Sequence, residues 1–197
     1  MIDLERLDTR KLPLSYGTER LRLTLNDSRY TEQVVKIRND PRLNEWIHHD
    51  PLTPEAHDQF LQRELERRDA LNFAILVDNE FAGVCSLRDI RGTTAEWARL
   101  VMPDRVEVRK YAVTVGVLFL SLGYEVLGRA SMYCRILEGN RRTRRYVEKI
   151  GWRPDPGYDS EIPFDGERRK LLGYSLSSAE WPEIFAAHRD LLAGIVS

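Results

Sequence analysis

A mixed sheet with helices on both faces, an α/β (α+β) architecture, is what this sequence predicts, and three patterns carry that reading. Residues 20–25 and 72–102 alternate or run apolar in short lengths bounded by turn residues, as strands do. Residues 111–127 are apolar for nearly their whole length, which makes a largely buried helix. From there strand and helix alternate, so a meander of strands passes into crossover units on one sheet.

The elements follow in order. Residues 1–18 show no clear period and form an N-terminal arm or an added sheet edge, and the core runs from about 19 to about 182. Arg20 to Leu25 is a half-buried strand, and Asn26-Asp27-Ser28 can cap a helix running to about Arg38. Thr53-Pro54-Glu55 starts a second helix, with proline at its first position, that reaches about Arg68. Asn72–Val77 and Phe81–Ile90 pair through a hairpin loop at Asp78-Asn79-Glu80, and Ala95–Met102 extends the meander. A charged connection from Pro103 to Lys110 leads to the long apolar helix, followed by a strand from Arg129 to Leu137. Asn140 opens a helix that Gly151 stops. The turns at Asp155-Pro156-Gly157 and Phe164-Asp165-Gly166 bracket irregular chain before a strand from Arg169 to Ser175. Ser177 and Glu180 make a capping box for a last helix at about 178–195.

Composition narrows the function classes. The 197 residues suit one domain, and no linker, repeat or low-complexity tract divides them. Lys and Arg number 30 against 31 Asp and Glu, which argues against a dedicated nucleic-acid binder. The longest apolar run, Val113 to Leu122, is too short to span a bilayer, and the first residues lack the pattern of a signal peptide, so a cytoplasmic protein with no membrane partner is expected. Cys85 and Cys134 lie in strand patterns as small buried hydrophobes. His48-His49 has no third ligand at a metal-binding spacing, so no metal is expected.

The stretch from Ala95 to Trp152 carries the chemistry. A strand, a basic loop, a helix whose first amides emerge at Arg109, Lys110 and Tyr111, a second strand and an Asn-led helix build an anion site between two strands. The closing helix, Asn140-Arg141-Arg142-Thr143-Arg144-Arg145-Tyr146-Val147-Glu148-Lys149-Ile150-Gly151-Trp152, resembles the Asn-led signature of the GNAT superfamily of acetyl-CoA-dependent N-acetyltransferases. Glu107-Val108-Arg109-Lys110-Tyr111-Ala112 stands where that family has its pyrophosphate loop, and only Ala112 fits the family pattern outright. The resemblance covers roughly Arg20 to Trp181 and implies the GNAT fold, with a splay between the fourth and fifth core strands, and acetyl-CoA as co-substrate.

It also implies roles. Acetyl transfer needs a deprotonated amine and a donor for the charge that grows on the thioester oxygen, a donor worth roughly 3 kcal/mol elsewhere. Glu96 is placed as general base, or as an ordinary strand glutamate paired with an arginine. The Leu100 backbone amide is placed to meet the acetyl oxygen, with Val101 and Met102 along the pantetheine arm. Lys110 replaces a glycine; with Arg109 it can hold a phosphate as a point charge, at a conformational cost of about 1 kcal/mol if its backbone is left-handed. Val147 stands where many relatives carry the tyrosine that protonates the leaving thiolate. Tyr146, the neighbouring hydroxyl, lies about a hundred degrees round the helix. Asn140 is implied to contact the pantetheine region and is equally a simple N-cap, and Arg144 with its neighbours is placed for an adenosine phosphate or for solvent.

Arg38-Asn39-Asp40-Pro41, Trp46 and His57-Asp58-Gln59-Phe60 resemble, in spacing, the enzymes that acetylate a nucleotide-linked amino sugar on the pseudaminic-acid route. Arg38 and Asn39 then suit sugar and phosphate oxygens, Trp46 offers a stacking face and His57 a hydrogen bond or a proton shuttle. A helix-end arginine, a core tryptophan and a surface histidine are the plain alternatives. The acceptor expected is a primary amine on a small molecule. Ribosomal-protein N-terminal acetylation is the second reading, a binding module that has lost catalysis the third, and a homodimer through the C-terminal strands is implied by analogy.

Overall fold

In the computed structural model, which describes residues 15–17, 20–44, 46, 51–103, 108, 110–164 and 166–192, nine strands form one sheet. The elements are β1 (Ser15–Gly17), β2 (Leu21–Leu25), α1 (Thr31–Arg38), α2 (Pro41–Asn44), α3 (Pro54–Leu65), β3 (Leu71–Val77), β4 (Glu80–Arg91), β5 (Thr94–Val101), α4 (Ala112–Ser121), β6 (Ser131–Leu137), α5 (Arg141–Ile150), β7 (Arg153–Pro154), β8 (Ser160–Phe164), β9 (Glu167–Ser177) and α6 (Trp181–Leu192). Strand order is β1-β2-β3-β4-β5-β6-β9-β7, with β8 also on β9. Every pairing is antiparallel except β5 with β6.

Helices cover both faces, as the element order predicts. On one, α1 packs on α3 and β4, and Val34 and Ile37 meet Val84 and Val101. On the other, α4 packs between α5 and α6 above the larger core. There Trp97 of β5 touches Phe119, Tyr146 and Trp152, joining three helical and loop segments to the strand. Gly116 permits this approach, because a Cβ there would collide with Ile150 and lie 2.8 Å from the Tyr146 hydroxyl.

Local chemistry explains the boundaries. Asp78 and Asn79, both at positive φ (49° and 68°), close the β3–β4 hairpin in a two-residue turn whose handedness matches the strand twist. Thr53 caps α3 by accepting from the Ala56 amide at 3.2 Å, and Asn140 caps α5 by accepting from Thr143 at 3.0 Å. Gly151, at φ +119°, ends α5. Glu180 accepts from the Ser177 amide and hydroxyl ahead of α6, so the glutamate half of the expected capping box is present while the serine hydroxyl donates instead of capping an amide.

Several expectations shift. The helix foreseen from Ser28 is a short 3-10 turn before α1, with Asp27 accepting from the Arg29 amide. The strand foreseen from Arg129 starts at Ser131. Arg129 instead turns its buried guanidinium onto the carbonyls of Leu127 and Gly92, closing the π-helical turn Leu122–Val126 that extends α4. The chain expected to be irregular before Arg169 contains β8, whose alternation is short and interrupted by Pro163. Ser15–Gly17 supplies the added edge; residues 1–14 and 193–197 lie outside the described ones. Cys85 and Cys134 are free and buried. Among the described residues no helix is long and apolar enough to cross a membrane, and no cluster of three ligating side chains occurs.

Candidate active site

The parallel ladder between β5 and β6 lasts three residue pairs, Thr94–Ser131, Ala95–Met132 and Glu96–Tyr133, and then the strands part. The gap they leave is a cleft of about 960 Å³, bordered by Trp97 to Met102 on one side and Cys134 to Leu137 on the other. The first residue of α4, Ala112, and the face of α5 with Asn140, Thr143, Tyr146 and Val147 close one end. Residues of α1 and α3 with Trp46 form the opposite wall.

A bulge shapes the rim. Ser86 pairs with Ala98 and Val84 with Val101, so Arg99 and Leu100 together face Cys85, and Arg99 has φ +56°. Such an insertion takes a residue out of the ladder and re-aims its side chain. Strand alternation from Trp97 would send Arg99 into the main core; instead its guanidinium lies over the Phe60 ring at 4.8 Å and 3.9 Å from Glu64. Partial burial, then the charge of Arg88, pulls the Arg99 guanidinium down to about 10, still a cation at neutral pH. Gly83, at φ +147°, lets Val101 and Met102 approach β4, since a Cβ there would sit 3.2 Å from the Met102 Cα.

The start of α4 fits an anion. Its N-cap, Tyr111, makes no side-chain cap bond, unlike the caps of α3 and α5. Ala112 borders the cleft and its carbonyl accepts from the Tyr146 hydroxyl at 2.7 Å. Burial raises the Tyr146 phenol far above its usual value, so it stays protonated. Lys110 is exposed, its ammonium 5.0 Å above the Tyr111 ring, and Val108 is buried. Glu107 and Arg109 lie outside the described residues.

Of the other residues expected from sequence, Leu100, Val101, Met102, Asn140, Tyr146, Arg38, Trp46 and His57 all border the cleft. Tyr146 and Val147 both reach it, so a step of one position round the helix does not turn the hydroxyl away. Trp46 spans to the far side: a Cβ on Gly139 would be 3.3 Å from its ring. His57 is 3 % exposed, not a surface residue, and its Nε2 is buried with no hydrogen-bond partner. Burial pulls its imidazole below the ordinary value, with the charge of Arg38 adding to that and Asp58 opposing it.

Three others sit elsewhere. Glu96 is buried and held by Arg135 in a two-pronged pair, Nε–Oε1 2.8 Å and Nη2–Oε2 3.0 Å, which is the arginine-partner alternative. Asn39 spends its amide on Leu52, donating to the carbonyl and accepting from the amide, both at 2.8 Å, and so clasps the loop between α2 and α3. Arg144 donates to the Tyr174 hydroxyl and the Glu138 carbonyl away from the cleft.

Arg38 and Arg142 were expected from sequence, and Arg42, Arg63, Arg99 and Arg135 were not. Arg38, Arg42, Arg63, Arg99, Arg135 and Arg142 all border the cleft, with no Asp or Glu among the described lining residues. Asp40, Glu64 and Glu96 pair with Arg42, Arg99 and Arg135 from behind. A charge at position 135 inside an otherwise apolar strand, in the same register face as Glu96, was a readable signal. The left-handed turn at Arg99 was not.

A family profile described as the acetyltransferase (GNAT) domain matches residues 20–153. No curated protein matches the sequence. Among solved structures, a GCN5-related N-acetyltransferase from Brucella melitensis superposes with TM-score 0.76 at 20 % identity, covering 90 % of this chain and 85 % of that one. FdhC, a nucleotide-linked sugar GNAT, gives 0.74 at 17 % identity over 92 % and 99 %. Mycobacterium smegmatis RimJ in complex with CoA-disulfide gives 0.72 at 18 % over 92 % and 93 %. The matched segment spans more than half of the sequence, including the diverging strands and the helices that frame the cleft, and the chain belongs to the GNAT acetyltransferase family.

Proposed function

We propose that the protein transfers acetyl from acetyl-CoA to a primary amine on an anionic small molecule, with a nucleotide-linked amino sugar as the leading acceptor. The arginine wall carries this reading. Six guanidinium groups, with no Asp or Glu among the described lining residues, repel polycationic amines and draw in phosphate or carboxylate oxygens. Likeness to a nucleotide-linked sugar GNAT in fold agrees with it.

Acetyl-CoA supplies an activated acyl group on a thiol of ordinary pKa about 8.5. This chain would hold its diphosphate at the uncapped first turn of α4, with Lys110 as a nearby cation, and its pantetheine arm along Val101 and Met102. The Leu100 amide, at the bulge, would donate to the acetyl oxygen as charge grows on it. Tyr146, kept protonated by burial and donating to the Ala112 carbonyl on the border of the cleft, is proposed as the proton donor to the leaving thiolate.

A thiol-release assay across a nucleoside-diphosphate amino sugar, a polyamine, an aminoglycoside and short peptides tests the reading. Turnover is expected with the sugar nucleotide and not with the polyamine. The likeness in fold to RimJ keeps peptides in the panel, and peptide turnover alone would replace the sugar reading with N-terminal acetylation. No thiol release with any amine would leave a binding module.

A further inference from the structure

We propose that His57 Nε2 is the base that removes the proton from the acceptor amine, an assignment that rests on the transferase reading above. The ring sits on the cleft wall between Arg38 and Phe60, stacked on Phe60 at a centroid distance of 6.0 Å. It is 3 % exposed, and its Nε2 is sealed from solvent with no protein partner. A buried polar atom left in that state carries a desolvation cost unless something arriving in the cleft bonds to it. With the ring proton on Nδ1, Nε2 is an acceptor for an N–H of the arriving amine.

The surroundings keep the ring neutral and ready. The charges that act on the ring are those of Arg38 on α1 and Asp58, the next residue of α3, while Arg42, Arg63 and Arg99 border the same cleft. Asp58, the carboxylate next to it on α3, accepts from the Thr31 hydroxyl through one oxygen and keeps its charge, and Glu64 is paired with Arg88 and Arg99. Burial is what disfavours the imidazolium, with Asp58 opposing it and Arg38 adding to it, and the His57 pKa moves down. Glu96, the alternative base, has both carboxylate oxygens on Arg135.

The step balances as follows. His57 Nε2 takes one proton from the acceptor ammonium, and the freed nitrogen lone pair attacks the thioester carbonyl carbon. The new C–N bond forms as the carbonyl electrons move to oxygen. As they return, the C–S bond breaks and its electron pair leaves on sulfur. The second nitrogen proton neutralises the thiolate, with Tyr146 as relay, and His57 passes its own proton to water.

The test compares wild type with His57→Gln, using a UDP-linked 4-amino sugar or, if that is inert, whichever amine the screen turns over. His57→Gln is expected to lower kcat by about a hundred- to ten-thousand-fold, to leave acetyl-CoA binding unchanged by calorimetry, and to abolish the acid limb of the pH profile. Retention of that limb, or of more than about a tenth of kcat, overturns the assignment. An inert sugar nucleotide beside a reactive amine sinks the substrate reading and leaves His57 to be judged on that amine. If nothing turns over, the transferase reading fails and takes the assignment with it, whereas 15N NMR showing a charged ring or a protonated Nε2 at pH 7 overturns the assignment alone.

Discussion

Arg135 changes what Glu96 can do. A carboxylate with both oxygens engaged by one guanidinium is a poor proton acceptor, and its loss leaves a partly buried cation without its partner. Glu96→Gln is therefore expected to cost about 1–3 kcal/mol in urea unfolding, while the acid limb of the rate profile stays where it is. His57 should show the reverse. Its folded pKa lies below the unfolded value of 6.5, so as pH falls through 6.5 the unfolded chain takes up a proton first and stability drops until the folded pKa is passed. His57→Gln should lose that part of the acid destabilisation, measured as Tm against pH between 7 and 5. Both residues were visible in the sequence as candidates. Which one was free was not, because that depends on a cross-strand partner 39 positions away and on helix α3 burying its own histidine.

Helices α4 and α5 were the most legible elements, since one is apolar throughout and the other carries its start and stop signals in Asn140 and Gly151. Two small residues set how they pack. Gly116→Ala forces a methyl between Ile150 and the Tyr146 hydroxyl, and a loss of about 1–3 kcal/mol is expected by denaturant titration. Gly151→Ala meets a left-handed backbone and the Ile184 side chain 2.8 Å away, so about 1–2 kcal/mol is expected there. Strand β8 and the turn at Arg99 stayed hidden for a shared reason. Neither has a local period, and both exist because a neighbour, β9 in one case and β4 in the other, dictates the backbone.

At the scale of the whole molecule, the sheet is one surface in two parts, β1–β5 and β6–β9, joined by a three-pair ladder and spanned by the cleft. A ligand that touches both parts and binds only the folded chain stabilises it by mass action. At a hundredfold excess over its Kd, desulfo-CoA is expected to add about 2.7 kcal/mol, read as a rise in Tm. The parting of β5 and β6 has another side. Beyond Glu96 and Tyr133 each strand turns a row of main-chain groups toward the other without reaching it, which gives the protein two raw borders in its interior. Borders of that kind recruit extended chain from neighbouring molecules, and positive charge along them keeps strangers off. Removing Arg99 and Arg135 together should therefore make the protein self-associate, and light scattering would register it before any assay did.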